Sequence, residues 1–294
     1  MSRILLTGSN GQLGWELRRS LAGHHDIIAT DRNSLDLADA DALRRAVRDI
    51  RPDLLINAAA YTDVEKAESE PAQAHAINNA APGILAEEAH RLGAAMVHYS
   101  TGYVFDGDQS APYAEGDTPN PQSVYGASKL AGELAVRAVG GQHLILRTNW
   151  VYGAHGDNFV KTVLRLAQER DELRIVADQF GAPTWARDLA QATSAILDVW
   201  QRKNFDATLS GVYHLTAAGR VNWYDYAKEI MRLARDAGIT PAHPDIRAIS
   251  ASEYPGAAKR PANSLLANDK ARQVFDVALP EWQASLAECM NELR

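Results

Sequence analysis

The sequence has very little cysteine, no excess of positive charge and no long apolar run. Its single cysteine, Cys289, cannot form an intrachain disulfide, and no Cys/His spacing is typical of a zinc site. Thirty Lys and Arg residues stand against 37 Asp and Glu residues, which gives a net charge of −7. Binding to nucleic acid through neutralisation of phosphates is therefore not expected.

Membrane and export segments are also missing from the sequence. No uninterrupted apolar stretch approaches the ~18 residues that are needed to cross a bilayer. The amino terminus runs from Arg3 into the short apolar run Ile4 to Leu6 and then into a glycine turn, which is too short for a signal-peptide core. We expect a soluble, cytoplasmic protein.

The composition that is present is ordinary for a globular protein. Of the 294 residues, 46% are hydrophobic and 23% are charged, which excludes a disordered, collagen-like or coiled-coil chain. The length predicts one large domain or two moderate ones, with enough apolar surface to bury a substantial core.

Short apolar runs alternate with helical patterns in the first half of the chain. The runs that predict buried strands lie at residues 4–6, 27–29, 54–56, 96–99 and 144–146. Between them, residues 43–50 and 84–92 carry apolar side chains at helical spacing. Strands that are apolar on both faces indicate a parallel sheet covered by helices on each side. The expected fold is α/β, a Rossmann-like doubly wound sheet that binds ligands beyond the carboxyl ends of its strands.

The second half of the chain has a less regular pattern. Its apolar spacing predicts helices at residues 159–167, 187–200, 223–237 and 280–293, and a strand at residues 211–215. Residues 105–123 are rich in Gly, Pro and Asp, and a loop of that length is usually functional or mobile. The acidic run from Glu65 to Glu70 predicts a solvated helix face.

The strongest local motif is the glycine-rich segment Thr7 to Gly14, which follows the first predicted strand and opens a helix. Gly8 allows a tight turn, Gly11 allows backbone N–H groups to approach a pyrophosphate, and Gly14 allows the helix to pack closely on the strand. The spacing G-x-x-G-x-x-G is a variant of the dinucleotide-binding signature. Because the strand precedes it and the helix follows it, we expect a nucleotide cofactor here.

An acidic residue supports the nucleotide site. Asp31 ends the second predicted strand, 20 positions after Gly11, where a carboxylate would accept hydrogen bonds from the adenosine ribose. Arg32 follows at once and could pair with a 2′-phosphate instead, or be a solvated surface residue. This pair leaves NADH and NADPH both open.

Tyr125 and Lys129 are four residues apart, so on a helix both side chains lie on one face. A free Tyr has a pKa of ~10, and a nearby ammonium favours the phenolate and lowers that pKa. We therefore expect Tyr125 to donate a proton to a carbonyl oxygen as hydride reaches the carbon. An exposed helix pair with no function is the alternative, and the nucleotide site weighs against it.

Ser100 and Thr101 directly follow a predicted strand, at an edge where such sheets carry out catalysis. A hydroxyl at this point could bind the substrate carbonyl and the phenol of Tyr125 and so fix their geometry. A glycine loop, a strand-end Ser/Thr and a Tyr-x-x-x-Lys pair occur in this order in extended short-chain dehydrogenases/reductases.

Several longer blocks resemble a narrower group, the dTDP-4-dehydrorhamnose reductase family. The blocks are GSNGQLGWEL from Gly8, NAAAYT from Asn57, KAESEP from Lys66, YSTGYVFDG from Tyr99, VYGASKLAGE from Val124, RTNWVYG from Arg147, DQFGAPT from Asp178 and RPANS from Arg260. The resemblance covers essentially the whole chain. It implies NAD(P)H-dependent reduction of the C4 keto group of dTDP-4-dehydro-L-rhamnose to dTDP-L-rhamnose.

The resemblance also implies roles for individual residues. Tyr125 would be the proton donor, Lys129 would hold the nicotinamide ribose and tune Tyr125, and Thr101 would set the pKa of that phenol and bind sugar. Cofactor contacts are implied for Gly11, Gln12, Leu13, Asp31, Asp36, Leu37, Ala60, Tyr61 and Thr62. Trp150 would pack on the sugar or base, and Arg260 would meet the nucleotide diphosphate through charge-assisted hydrogen bonds.

Two positions depart from the family pattern. Members usually have Ser-Thr-Asp-Tyr-Val-Phe at the strand end, whereas position 102 is Gly here, in a place associated with substrate contact. Family members are also described with Mg²⁺ and a homodimer, through three carboxylates. Glu16 and Glu292 match two of these, but Arg187 replaces the third and argues against an intact hard-cation site. A metal-bridged dimer is therefore not expected; bound Mg²⁺ is disfavoured but stays open, and so does a homodimer.

The resemblance divides the chain into two units. Residues 1–150, together with about 187–215, would bind NAD(P), and residues 151–186 and 216–294 would form a smaller lobe that binds the dTDP-sugar. Two other functions stay open at this point. A non-catalytic nucleotide-binding regulatory subunit is favoured by Gly102 alone, and a reductase or epimerase of another nucleotide-sugar would keep the same chemistry.

Overall fold

The computed structural model describes residues 1–294. Its strands are β1 (Arg3–Thr7), β2 (Asp26–Thr30), β3 (Leu54–Asn57), β4 (Ala95–Thr101), β5 (His143–Thr148), β6 (Val151–Tyr152), β7 (Glu172–Val176), β8 (Phe180–Gly181), β9 (Thr184–Trp185), β10 (Gly211–His214), β11 (Val221–Asn222) and β12 (Asp245–Ile249). Its helices are α1 (Gln12–Leu21), α2 (Ala40–Ile50), α3 (Val64–Ser69), α4 (Pro71–His75), α5 (Ala81–Leu92), α6 (Val124–Val139), α7 (Phe159–Glu169), α8 (Ala186–Arg202), α9 (Trp223–Asp236), α10 (Asp269–Phe275) and α11 (Trp282–Glu292).

Six parallel strands form the central sheet, in the order β10-β5-β4-β3-β1-β2. All five strands predicted in the first half lie in this sheet, and the two helices predicted between them are α2 and α5. The strand order reverses between β1 and β3, which is the place where doubly wound sheets bind ligands. The predicted α/β, Rossmann-like fold is confirmed.

Both faces of the sheet are covered because its strands are apolar on both faces. Ile4 and Leu6 pack into one core with α1 and α8, whereas Leu5, between them, packs into the opposite core with α2, α5 and α6. All seven residues of β4 are buried. The continuous apolar pattern of the strands follows from this two-sided burial.

The chain leaves the sheet after β5 and later returns to it. β10 pairs with β5, with Gly211 beside Leu144, and α8 packs against α1. Phe275 and Leu279 pack into the same core, although they lie within the range expected for the lobe. Two later segments of the chain therefore complete the unit that its first half begins.

A third core lies between α7, α9 and α11, and the parallel pair β7–β12 lies beside it. Its largest buried side chains include Trp185, Tyr226 and Trp282. The helices and strand predicted in the second half correspond to α7, α8, α9, α11 and β10. None of the helices is long and apolar enough to cross a membrane.

Residues 105–123 form the predicted long loop, without a helix or a regular strand. The Tyr113 hydroxyl holds its first turn: it donates to Asp106 at 2.6 Å and accepts from the Gly107 N–H at 2.9 Å. The Tyr113 ring also stacks on Phe105, with the centroids 4.3 Å apart. This loop is therefore fixed at its amino-terminal end.

Candidate active site

The glycine-rich turn after β1 brings backbone into close contact with backbone. Gly8 has φ +73°, a conformation that L side chains rarely adopt, and a Cβ there would lie 2.6 Å from the backbone nitrogen of Ala59. A Cβ on Gly14 would overlap the Gly8 carbonyl oxygen. Gly11, at the N-cap of α1, has no side chain to cap the first N–H groups of the helix. Those free N–H groups and the helix dipole fit the phosphates of a dinucleotide.

Asp31 lies at the end of β2, and its carboxylate is held in place by neighbouring groups. Oδ2 accepts from the Asn10 amide at 2.5 Å, and Oδ1 accepts from the N–H and hydroxyl of Ser34 at 3.0 and 2.9 Å. The hydrogen bonds from Ser34 keep the pKa of Asp31 below its ordinary value. Arg32, the next residue, is exposed. Asn10, which the sequence reasoning missed, thus connects the glycine turn to Asp31.

The other residues that the resemblance assigns to the cofactor lie in the loops at the same edge of the sheet. Gln12 and Leu13 open α1, Asp36 and Leu37 lie between β2 and α2, and Ala60, Tyr61 and Thr62 follow β3. Tyr61 is fixed at both ends, because its N–H donates to Asn78 and its hydroxyl donates to Glu70, each at 2.8 Å. Their contact with a cofactor stays a prediction.

Thr101, Tyr125 and Lys129 come together where β4 ends. Thr101 is the last residue of β4; its hydroxyl accepts from the Tyr103 N–H at 3.2 Å and lies near the half-buried Tyr125 phenol. Tyr125 and Lys129 are one turn apart on α6, which begins after Ser123 caps the Gly126 N–H. Lys129 is buried, and its Nζ donates to the Tyr99 carbonyl oxygen at 2.6 Å.

Burial changes the pKa of both Tyr125 and Lys129. It raises the pKa of the Tyr125 phenol to about 12, against the smaller opposing effect of the hydrogen bond with Thr101. It lowers the pKa of the Lys129 ammonium to about 8, against the attraction of Glu133. The expected fall in the pKa of Tyr125 beside Lys129 is therefore not seen. Tyr125 instead keeps its proton at neutral pH, which is the form that a proton donor requires.

A buried ion pair supports these residues and was missed in the sequence. Glu133 accepts from Arg147 through Nε at 2.8 Å and through its terminal NH2 group at 2.6 Å, and from the Ser100 hydroxyl at 2.5 Å. Both charged side chains are at most 3% exposed. The available signal was spacing, because Glu133 lies four residues after Lys129 on the same face of α6. Within this pair, Glu133 places its negative charge near the Lys129 ammonium.

Comparison with known proteins places the full chain in one family. The family described as RmlD substrate binding domain matches residues 1–294. A dTDP-4-dehydrorhamnose reductase of Burkholderia thailandensis is 48% identical to this chain, over 99% of each sequence. The chain belongs to the dTDP-4-dehydrorhamnose reductase family. The prediction of an oxidoreductase of this family is confirmed.

Solved structures of the dTDP-4-dehydrorhamnose reductase family have the same fold. A reductase from Clostridium acetobutylicum is 39% identical, with a TM-score of 0.90 and 99% of each chain covered. A reductase from Bacillus anthracis, in complex with NADP, is 36% identical, with a TM-score of 0.88 and 99% of each chain covered.

Two residues that the resemblance with these reductases assigns to the substrate are engaged with protein groups. Trp150 lies two residues after the end of β5 and stacks on Trp223, with the ring centroids 3.4 Å apart and the planes 13° apart. Arg260 forms an ion pair with Glu65. A ligand that contacts Trp150 or Arg260 would therefore contact a side chain that is already held by Trp223 or Glu65.

The acidic run at Glu65 to Glu70 is not the solvated helix face that its composition predicts. Glu65 also accepts from the Ala257 N–H at 2.8 Å, and Glu68 accepts from the Val124 N–H at 2.8 Å. Burial alone would raise the pKa of Glu65, but the backbone N–H groups of Ala258 and Ala257, together with Arg260, hold it below its ordinary value. The run connects α3 to α6 and to the segment before Arg260.

The residues that correspond to the reductase family's Mg²⁺ site do not fit a cation in this chain. The Arg187 Nε lies 3.3 Å from Glu16 Oε2, and its guanidinium also contacts Glu292. Arg19 forms a second ion pair with Glu16 at 3.3 Å. No three His, Cys, Asp or Glu side chains form a group that could hold a metal ion. Mg²⁺ requires oxygen ligands, and a positive side chain lies between these two carboxylates.

Proposed function

We propose that this chain reduces the C4 keto group of dTDP-4-dehydro-L-rhamnose with NADPH or NADH and so forms dTDP-L-rhamnose. The observation that carries the proposal is the meeting of Thr101, Tyr125 and Lys129 at the carboxyl edge of the sheet, on the same edge as an uncapped glycine-rich turn. The name of the 48% identical relative supports the choice of substrate.

Tyr125 supplies the proton in this proposal. When bound, the reduced nicotinamide supplies the hydride that reaches C4 of the sugar. The phenol is protonated at neutral pH because burial holds its pKa at about 12. As the proton moves to the C4 oxygen, negative charge develops on the phenolic oxygen, and the Thr101 hydroxyl and the Lys129 ammonium stabilise it.

Lys129 has a second role, as a donor to the cofactor. Its ammonium has three N–H groups, one of which is used by the Tyr99 carbonyl oxygen. The others are free for the hydroxyls of the nicotinamide ribose. The negative charge of Glu133 favours the protonated form of this buried amine, which alone has all three donors.

Both nicotinamide cofactors fit the residues after β2. Oδ2 of Asp31 has one protein partner, Asn10, so it can also accept from a ribose hydroxyl. The exposed guanidinium of Arg32 can pair with a 2′-phosphate. We therefore expect NADH and NADPH each to support turnover, as the NADP complex of the Bacillus anthracis relative indicates for that phosphorylated form.

The division of labour follows the sheet, with a core on each face, and the separate core between α7, α9 and α11. We assign cofactor binding to residues 1–150 with about 187–215, and sugar binding to residues 151–186 and 216–294. Trp150 and Arg260 would contact the dTDP-sugar from the boundary between them. The packing of residues 271–279 against the first core supports a tight connection between the two parts.

The decisive experiment compares the wild type with Tyr125→Phe. Each is incubated with enzymatically generated dTDP-4-dehydro-L-rhamnose and either NADPH or NADH, and cofactor oxidation is followed by absorbance. The wild type should oxidise both cofactors. The variant should lose on the order of 10²- to 10⁴-fold in kcat and still bind cofactor, because only the proton is removed.

Other outcomes lead to other functions. Bound cofactor without any oxidation would favour the regulatory subunit, for which Gly102 is the one supporting feature. Turnover of another nucleotide-sugar without net consumption of cofactor would favour an epimerase.

A further inference from the structure

The residue that fills the space beside Gly102 is Asn149. Gly102 follows Thr101 at the end of β4, and Asn149 follows Thr148 at the end of the neighbouring strand β5. Thr101 and Thr148 are paired in the sheet, so the two following residues lie side by side. Asn149 is only 3% exposed.

All the polar atoms of the Asn149 side chain are used. Its Oδ1 accepts from the Gly102 N–H at 2.9 Å and lies 3.4 Å from the Thr101 hydroxyl, and its Nδ2 donates to the Ser264 carbonyl oxygen. The Gly102 N–H on one side and the Ser264 carbonyl oxygen on the other leave only one orientation for the amide. The 2.9 Å bond to the backbone that follows Thr101 is the stronger of its two contacts at this strand end.

Asn149 also explains why position 102 has no side chain. A Cβ on Gly102 would lie 2.9 Å from Asn149 Oδ1 and closer still to Nδ2. Both side chains cannot occupy this space unless Asn149 moves, which would break its bond to Ser264. A carboxylate at position 102 and an amide at position 149 therefore exclude one another.

We propose that Asn149 is a positioning residue for Thr101, which takes the place of the carboxylate that this family usually has at position 102. The inference rests on the proposed reductase function. Asn149 fixes the turn after Thr101, so the Thr101 hydroxyl is held toward Tyr125. Asn149 Oδ1 is neutral, so it fixes this turn without adding a negative charge beside Thr101.

The test is a cycle of four proteins: wild type, Gly102→Ala, Asn149→Ser and the double variant. We expect each single change to lower kcat by about tenfold, the equivalent of one hydrogen bond of ~1.4 kcal/mol. The double variant should be no worse than Asn149→Ser, because the smaller serine leaves room for the new Cβ. Independent effects would multiply to about a hundredfold.

Two further readouts separate positioning from a general loss of structure. The dissociation constant of the cofactor should stay within about twofold of the wild type in all four proteins, and the KM for the sugar should change less than kcat. Gly116→Ala is the matched control, since a Cβ there meets nothing within 4 Å, and it should change none of these values.

The proposal is overturned if Gly102→Ala has wild-type kcat, or if the losses in the double variant simply multiply. An inactive wild type would instead remove the proposed function. In that case, thermal unfolding of the same four proteins still tests whether a side chain at position 102 and Asn149 compete for the same space. Gly102→Ala should then lower the Tm, adding that change to Asn149→Ser should lower it no further, and additive shifts would contradict the proposal.

Discussion

The two sides of the candidate site are built from different parts of the protein. On the side of the glycine turn, residues 7–14, the shape is made by backbone, that of the turn itself and that of Ala59 beside Gly8. On the opposite side, Asn149, Ser264 and the pair Glu65–Arg260 come from segments far apart in the chain. The first side has no room for a Cβ at Gly8 or Gly14, and the second depends on side chains that hold one another in place.

This difference predicts which binding or kinetic constant depends on each side of the site. Changes in the glycine turn should act on cofactor binding, and changes in the opposite side should act on the sugar or on kcat. A substitution on one side that altered both cofactor binding and the constants for the sugar would contradict this difference between the two sides.

Among the changes that test this difference between the two sides, the largest effect should come from Gly14→Ala. The new Cβ would overlap the Gly8 carbonyl oxygen, so the turn must open or α1 must move. Overpacking of this kind costs about 1–3 kcal/mol, which would raise the dissociation constant of the cofactor by up to about a hundredfold. Cofactor fluorescence titration measures it. Gly11→Ala is the graded comparison, because its Cβ would approach nothing closer than 3.3 Å. Equal affinity in Gly14→Ala and the wild type would contradict this account of the turn.

A smaller effect is expected on the opposite side, from Arg260→Ala. Loss of a charge-assisted hydrogen bond to the diphosphate should raise the KM for the dTDP-sugar by about tenfold. The dissociation constant of the cofactor should not change. Lys259→Ala is the control, because this neighbouring cation bonds only to the exposed Gln122 side chain. If Arg260→Ala instead weakened cofactor binding, the two sides of the site would not act independently.

Between the two sides, Lys129 gives the stability of the protein a pH dependence. Its pKa falls from 10.5 in the unfolded chain to about 8 in the folded protein. Between these values the unfolded chain holds the extra proton, so stability gains up to about 1.4 kcal/mol per pH unit from this group as pH rises. Denaturant unfolding of the wild type and of Lys129→Met should therefore diverge above pH 8, in favour of the wild type. If the unfolding free energies of the two proteins differed by the same amount at every pH, the pKa of Lys129 would not be depressed.

No effect at all is expected from removal of divalent cations. Arg187 lies between Glu16 and Glu292, and Arg19 also pairs with Glu16, so two positive charges balance the two carboxylates of α1 and α11. Cofactor oxidation with EDTA should match that with added Mg²⁺. Loss of activity in EDTA that Mg²⁺ restores would show a metal requirement that these residues do not explain.

The sequence was most informative where one segment makes the whole feature. The strands could be recognised because each is apolar on both faces, and the glycine turn because Gly8, Gly11 and Gly14 lie within a single loop. Tyr125 and Lys129 were found for the same reason, since one turn of α6 places them on one face.

The contacts that the sequence could not reveal join distant positions. Asn149 and Ser264 are 115 positions apart, and Glu65 and Arg260 are 195 positions apart. No local spacing indicates such contacts. The pKa of Tyr125 was also misjudged, because the sequence gives the nearby lysine but not the degree of burial, which here has the larger effect.

The late return of β10 has a consequence for synthesis of the protein. The ribosome releases β5 before β10, and residues 149–210 must emerge between them. During that interval one edge of β5 has no partner, and an unpaired edge can pair with another chain. A polypeptide ended at residue 150 would keep that edge permanently open. We therefore expect such a truncated chain to aggregate, and the complete sheet to form only after about three quarters of the protein has left the ribosome.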